Sequence, residues 1–273
     1  MKVTTVALTL FAVLVGCSAS LAGDTGQDIA PSNGVTRPRR VYPDLSANPV
    51  IEYASLDDVA DLQRELDLGN DVNWHDFHGR TPLMAASMVG AADAVGFLLS
   101  HGAHVDATDS SHVSALMAGA WGGDARVVRL LFTAGADVRL ADDHGRTALH
   151  AAADGMNPGV LVELLRARPD VNAKDWRGRT ALMYLASRSS RMTGSMVQTL
   201  IDAGADVNIA DVRGQTSLML AAEYSDAPTV RALLKAGATI NARDNDGQTA
   251  LAIASDEGEP ELVAILQRAG GVD

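Results

Sequence analysis

The chain has 273 residues, with 22 Lys or Arg against 34 Asp or Glu, a formal net charge of −12, a single cysteine and 4% aromatic residues. Such an acidic chain is a poor match for nucleic acid, whose phosphates must be met by a basic face, and one cysteine excludes an intramolecular disulfide. No Gly-x-Ser-x-Gly, Gly-x-x-x-x-Gly-Lys or His-Glu-x-x-His is present, so the commonest sequence-readable hydrolase, nucleotide and zinc chemistries lack a foothold.

The first element is an almost uninterrupted apolar run from Val3 to Val15 behind Lys2. It is too short for a permanent transmembrane helix but suits the hydrophobic region of an export signal. The run ends Leu14-Val15-Gly16-Cys17, which resembles the lipobox of bacterial lipoproteins. That resemblance implies cleavage after residue 16 and acylation of Cys17, with Ser18 in place of Asp implying the outer membrane. Cleavage after Ser20-Leu21-Ala22 would instead discard Cys17 and release a soluble periplasmic protein. Residues 17–47 are rich in Ser, Ala, Gly, Asp, Asn and Pro without helical periodicity and are read as a flexible tether, with a reach of roughly 30 Å. Its Arg37, Arg39 and Arg40 form a solvated basic cluster or touch anionic headgroups.

From residue 48 the chain is an array. Tyr53, Ala54, Val59, Leu62, Leu66, Gly69, Val72 and Asn73 read as a capping unit without a hairpin signature. A phrase with Thr or Ser two residues before Leu then opens at Thr81, Ser114, Thr147, Thr180, Thr216 and Thr249, at intervals of 33, 33, 33, 36 and 33 residues. A fixed period of that size means stacked supersecondary units. Each hydroxyl is placed to cap a helix, and Pro82 fits the first turn because its missing N–H was unpaired anyway. Apolar pairs from Leu98-Leu99 to Ile265-Leu266 mark a second helix, opened by proline at Pro158, Pro228 and Pro260 and ended by glycine. No unit buries its own face, so stability comes from stacking.

Five of the six phrases are preceded by Asp-x-x-Gly, as in Asp76 and Gly79 before Thr81-Pro82-Leu83, and Asp142 and Gly145 before Thr147-Ala148-Leu149-His150; the copy from Asp109 is weaker. The pattern resembles the ankyrin repeat over residues 48 to 273. The resemblance implies an all-α repeat solenoid of helix-turn-helix units joined by β-hairpin loops: one capping repeat (48–73) and six full repeats (74–106, 107–139, 140–172, 173–208, 209–241 and 242–273).

In the ankyrin family, partners dock on the concave face made by hairpin tips and the inner helix. Carried onto this sequence, that face comprises Phe77, Arg80, Met88, Trp121, Arg146, Trp176, Arg177, Arg179, Arg188 and Tyr224. Exposed aromatics and arginines are what interface anchors are made of, although Trp121 or Trp176 would also serve to cover the neighbouring repeat. His150 holds the family's bracing histidine position. No cofactor, metal or catalytic residue is assigned; His75 and His78, with His101, His104, His112 and His144 in nearby hairpin-edge positions, are the one candidate metal cluster.

The pattern falters once. Residue 168, where the period calls for helix-ending glycine, is Arg followed by Pro169, and three extra residues follow in the stretch 187–195. The left-handed cap there is either strained, at about 1 kcal/mol, or replaced. Arg166, Arg168, Lys174, Arg177, Arg179, Arg188 and Arg191 make this stretch a basic island facing only Asp170 and Asp175. The resulting expectation is a non-enzymatic, monomeric scaffold binding a periplasmic or envelope protein that presents an acidic patch. Exported bacterial ankyrin proteins that it resembles include helpers of peroxide-protection enzymes and proteins that neutralise toxic effectors.

Overall fold

The computed structural model describes residues 48–272 apart from 189 and 191; the signal segment, Cys17, the tether and Arg191 lie outside the described residues. Helices run in antiparallel pairs: α1 (Pro49–Ser55) with α2 (Val59–Asp67), α3 (Pro82–Val89) with α4 (Ala92–Ser100), α5 (Ala115–Gly122) with α6 (Ala125–Thr133), and α7 (Ala148–Asp154) with α8 (Pro158–Arg166). They continue as α9 (Ala181–Ala186) with α10 (Thr193–Asp202), α11 (Ser217–Glu223) with α12 (Ala227–Lys235), and α13 (Ala250–Asp256) with α14 (Pro260–Arg268). The first helix of each pair packs between its counterparts and is apolar nearly all round. In α3 every residue from Pro82 to Ser87 is buried, and in α5 every residue from Ala115 to Ala120. The second helix buries a stripe, such as Val127, Val128 and Leu131 of α6, as an amphipathic surface helix must.

Five of the six phrase hydroxyls cap as their chemistry dictates. Thr81, Ser114, Thr180, Thr216 and Thr249 each accept the N–H three residues on, at 3.2–3.4 Å. At Thr147 the cap is supplied by His150, whose Nδ1 accepts the Thr147 N–H at 3.1 Å. Proline opens α8 and α14 at their first residue, whereas Pro228 stands second in α12.

The hairpins are minimal. Among the described residues, pairing is limited to isolated antiparallel bridges Thr108–Ser114, Ala141–Thr147 and Ala210–Thr216, so no β-strand accompanies the helices. What shapes each tip is the aspartate. Asp76 Oδ1 accepts the N–H groups of both His78 and Arg80 at 2.9 Å, and Asp109, Asp142, Asp175, Asp211 and Asp244 repeat the pattern. The glycine three residues after the aspartate takes φ of 72–79°. In the copy from Asp109, His112 takes that place at φ 59°, a left-handed conformation that costs a side-chain-bearing residue energy.

Two staples join successive units at the far end of the pairs. Asn73 accepts the His104 N–H at 2.8 Å and donates to the Gly102 carbonyl at 3.1 Å. Asn172, Asn208 and Asn241 do the same one unit apart each, and Asp106 supplies the acceptor half to Asp137. The position between Asp106 and Asn172 is Arg139, which has no acceptor and pairs with its own Asp137. The same junction carries the irregular cap. Arg168 keeps the left-handed conformation, at φ 51°, so the cap is strained and not replaced. Elsewhere the next N–H closes the turn, as Ala136 does on Leu131 at 3.0 Å; Pro169 has no N–H to give. Arg139→Asn is expected to restore the missing staple and raise Tm by about 2–4 °C, which a thermal melt will read; an unchanged or lowered Tm contradicts this account of the seam.

Candidate partner-binding face

The hairpin tips are tied into one line by a backbone ladder. Ser110 N–H donates to His78 O at 2.7 Å, Asp143 to Ser111 at 3.1 Å, Trp176 to His144 at 2.8 Å, Val212 to Arg177 at 2.9 Å and Asn245 to Arg213 at 2.9 Å. Two side-chain rows follow. One is Phe77, Ser110, Asp143, Trp176, Val212 and Asn245; the other is His78, Ser111, His144, Arg177, Arg213 and Asp246. Phe77, Trp176 and Val212 are 75%, 61% and 64% exposed, a poor use of large apolar side chains unless something covers them. The Arg177 guanidinium lies 4.7 Å from the Trp176 ring centre, and the His144 ring lies 6.0 Å from it. This cation–π contact braces the exposed indole against the neighbouring residue of the turn.

Behind the tips lies a network of partly buried polar groups. Arg80 clamps Asp76 Oδ2 through Nε at 2.6 Å, and Arg146 clamps Asp142 Oδ2 at 2.7 Å. In the next unit the Tyr184 hydroxyl donates to Asp175 Oδ2 at 3.0 Å, taking the oxygen that an arginine uses in the other two. Arg179 is thereby turned onward to Asp211 of the following unit, with Nε 3.5 Å from Oδ2. Asp211 is open to it because the residue four places on is Gln215, which binds Arg213. Burial, reinforced by Asp175, pushes the Tyr184 phenol well above its ordinary value. His150 packs edge-on against Tyr184 and reaches the Arg179 carbonyl through Nε2 at 3.0 Å. Because Nδ1 accepts from Thr147, Nε2 carries the proton, and burial lowers the imidazole pKa, keeping the ring neutral.

A second bridge runs along the ends of the inner helices. Asp154 accepts the Trp121 Nε1–H at 3.0 Å and pairs with Arg188, linking three consecutive units through one carboxylate. There the backbones approach closely: a Cβ on Gly122 would lie 2.8 Å from Met88 O, and one on Gly155 only 1.9 Å from Trp121 O.

These placements sort the ten sequence-derived residues. Phe77, Trp176, Arg177 and Tyr224 are presented to solvent, Tyr224 at the end of α11 with 45% exposure. Met88 and Trp121 are half-buried, and Trp121 stitches its unit to the next. Arg80 and Arg146 are clamps on aspartates and Arg179 forms an ion pair with Asp211 without a hydrogen bond, their side chains 25%, 37% and 21% exposed. Arg188 is exposed but spends its charge on Asp154. The basic island is accordingly smaller than its sequence count, for Arg166 also pairs, with Glu163, which Arg129 shares from α6 and whose pKa it lowers. Tyr184 is the organising residue that sequence reasoning did not single out. The histidines do not converge: His101 binds the Phe97 carbonyl, His112 binds Asp143 at 2.6 Å, and among the described residues no three His, Cys, Asp or Glu are grouped to hold a metal.

Helix pairs capped by Thr, tips closed by Asp-x-x-Gly and a ladder of tips define a repeat scaffold with a presented face. The family model for ankyrin repeats (3 copies) matches residues 51–142, 116–211 and 185–273, and the chain belongs to the ankyrin-repeat family. Proteins of this family are generally non-catalytic, protein-binding scaffolds. Among solved structures the chain is similar to the human ASB11 ankyrin repeat domain, at 22% identity and a TM-score of 0.73, covering 83% of this chain and 100% of that one; the likeness is one of fold. No curated protein matches it.

Proposed function

We propose that this protein is a non-catalytic scaffold of the bacterial cell envelope, tethered through a lipidated Cys17 and binding one periplasmic or envelope protein through its hairpin face. The observation that carries the binding face is Trp176, exposed at a hairpin tip with the Arg177 guanidinium against its ring. Export rests on the apolar run ending in Leu14-Val15-Gly16-Cys17. The function we favour is that of a helper to a periplasmic stress enzyme of the peroxide-protection kind; the other reading on the same sequence features is an immunity protein neutralising a toxic effector.

Affinity capture from envelope extract tests the face. The Trp176→Ala, Arg177→Glu double variant is expected to lose the partner by about 2 kcal/mol or more, roughly thirtyfold in affinity, with unchanged helical content. Arg179 is unsuitable for this purpose, because a glutamate there would stand beside buried Asp211 and test stability instead. Undiminished capture by the double variant would overturn the assignment. A helper is needed for its enzyme's activity, whereas an immunity protein rescues cells from one toxin. Incorporation of a labelled lipid precursor, absent in Cys17→Ser, reads the anchor.

A further inference from the structure

The second row along the tips reads His78, Ser111, His144, Arg177, Arg213, Asp246, one side chain per unit. In a protein of net charge −12, its middle is cationic. Arg177 rests on Trp176, Arg213 donates to Gln215 Oε1 at 2.5 Å, and neither has a carboxylate partner among the described residues. Arg80, Arg146, Arg179 and Arg188, by contrast, are paired internally. Beside the two unpaired arginines the other row presents Trp176 and Val212. The stretch is bounded on one side by Asp143, engaged by His112, and on the other by Asn245 and Asp246. The uncompensated patch therefore covers two neighbouring tips, those of Trp176-Arg177 and Val212-Arg213.

We propose that this strip is a docking rail for an extended acidic segment of the partner protein, with carboxylates on the Arg177–Arg213 row and an apolar side chain against Trp176 and Val212. The proposal rests on the hairpin face being the partner-binding face. It adds the occupant's chemistry and register. Packed helices are spaced about 8–10 Å apart, and an extended chain in the polyproline II conformation advances about 3.1 Å per residue and returns to the same face every third residue, so one unit corresponds to about three partner residues. The segment therefore carries Asp or Glu at about every third position, over roughly six residues. The cations have no internal partner to surrender on binding, so the carboxylates gain charge complementarity without breaking an existing pair.

Panning a bead-displayed library of random linear peptides of about a dozen residues, long enough for that register, against the full chain tests the rail. Enriched peptides are expected to be acidic, with carboxylates three residues apart and a large apolar residue between. They should bind Arg177→Glu, Arg213→Glu about tenfold or more weakly, and weaken as salt rises. Both side chains are exposed, so an unchanged melting curve will certify the fold of the double variant. Enriched peptides that need Trp176 but carry no acidic bias overturn the rail and leave the hairpin face standing. Peptides indifferent to Trp176→Ala overturn both. A library yielding no binder, or anionic phosphatidylglycerol vesicles bound by the Cys17→Ser chain through Arg177 and Arg213, would also overturn the proposal.

Discussion

Gly155→Ala is expected to destabilise the array by about 3 kcal/mol or more, against every local rule. Gly155 ends α7 at φ −71° and ψ −8°, which is ordinary right-handed backbone, and alanine is favoured over glycine in helical conformation by about 1 kcal/mol. If backbone freedom decided the matter, the variant would be more stable. Space decides instead. The added Cβ would lie 1.9 Å from the Trp121 carbonyl oxygen and 2.8 Å from its carbon, both main-chain atoms of α5. No rotamer change relieves a clash with main chain, so α5 and α7 must part. They part at the junction already lacking the Asn staple and the closing N–H of the cap. Chemical denaturation reads the result, and equal or greater stability would show that these helices do not approach as described.

His150→Leu is expected to cost about 1–3 kcal/mol, the usual penalty for leaving a buried polar group without a partner, here the Thr147 N–H, while the Arg179 carbonyl keeps the Asp175 N–H at 2.9 Å. The substitution also removes a pH dependence. Burial holds the folded imidazole below its ordinary value of 6.5, so between the two values the unfolded chain binds more protons and stability rises with pH. The contribution is whole above about pH 6.5 and declines as pH falls toward the folded pKa, by up to about 1.4 kcal/mol per pH unit. Stability measured against pH should therefore show a His150-dependent fall on acidification that is missing from His150→Leu. Parallel profiles for the two proteins would mean that the ring is not held neutral.

What the sequence disclosed was local. A hydroxyl before a helix, proline in a first turn and glycine after a last turn each report a nearest-neighbour requirement, and all stand where their chemistry demands. The aspartate of each tip was legible as a pattern, but its two N–H bonds follow from the habit of Asp to fold its own turn. Contacts between units were not legible, because residues 33 or more apart meet only after stacking. Asp154 gathers Trp121 and Arg188 in this way, and Gly155 meets Trp121. The diversion of Arg179 to Asp211 depends on Tyr184 having taken Asp175 first. A count of arginines along the chain therefore overstated the basic island. On the hairpin tips, the charge left for a partner stands at Arg177 and Arg213.

Hydrogen exchange of the chain with and without its captured partner tests the central claim most directly, since amide protection reports where a bound surface excludes opening and solvent. New protection is predicted on the tips from Asp142 to Arg146, Asp175 to Arg179 and Asp211 to Gln215, with the outer helices α8, α10 and α12 unchanged. Protection confined to those outer helices, with the tips unaltered, would contradict it.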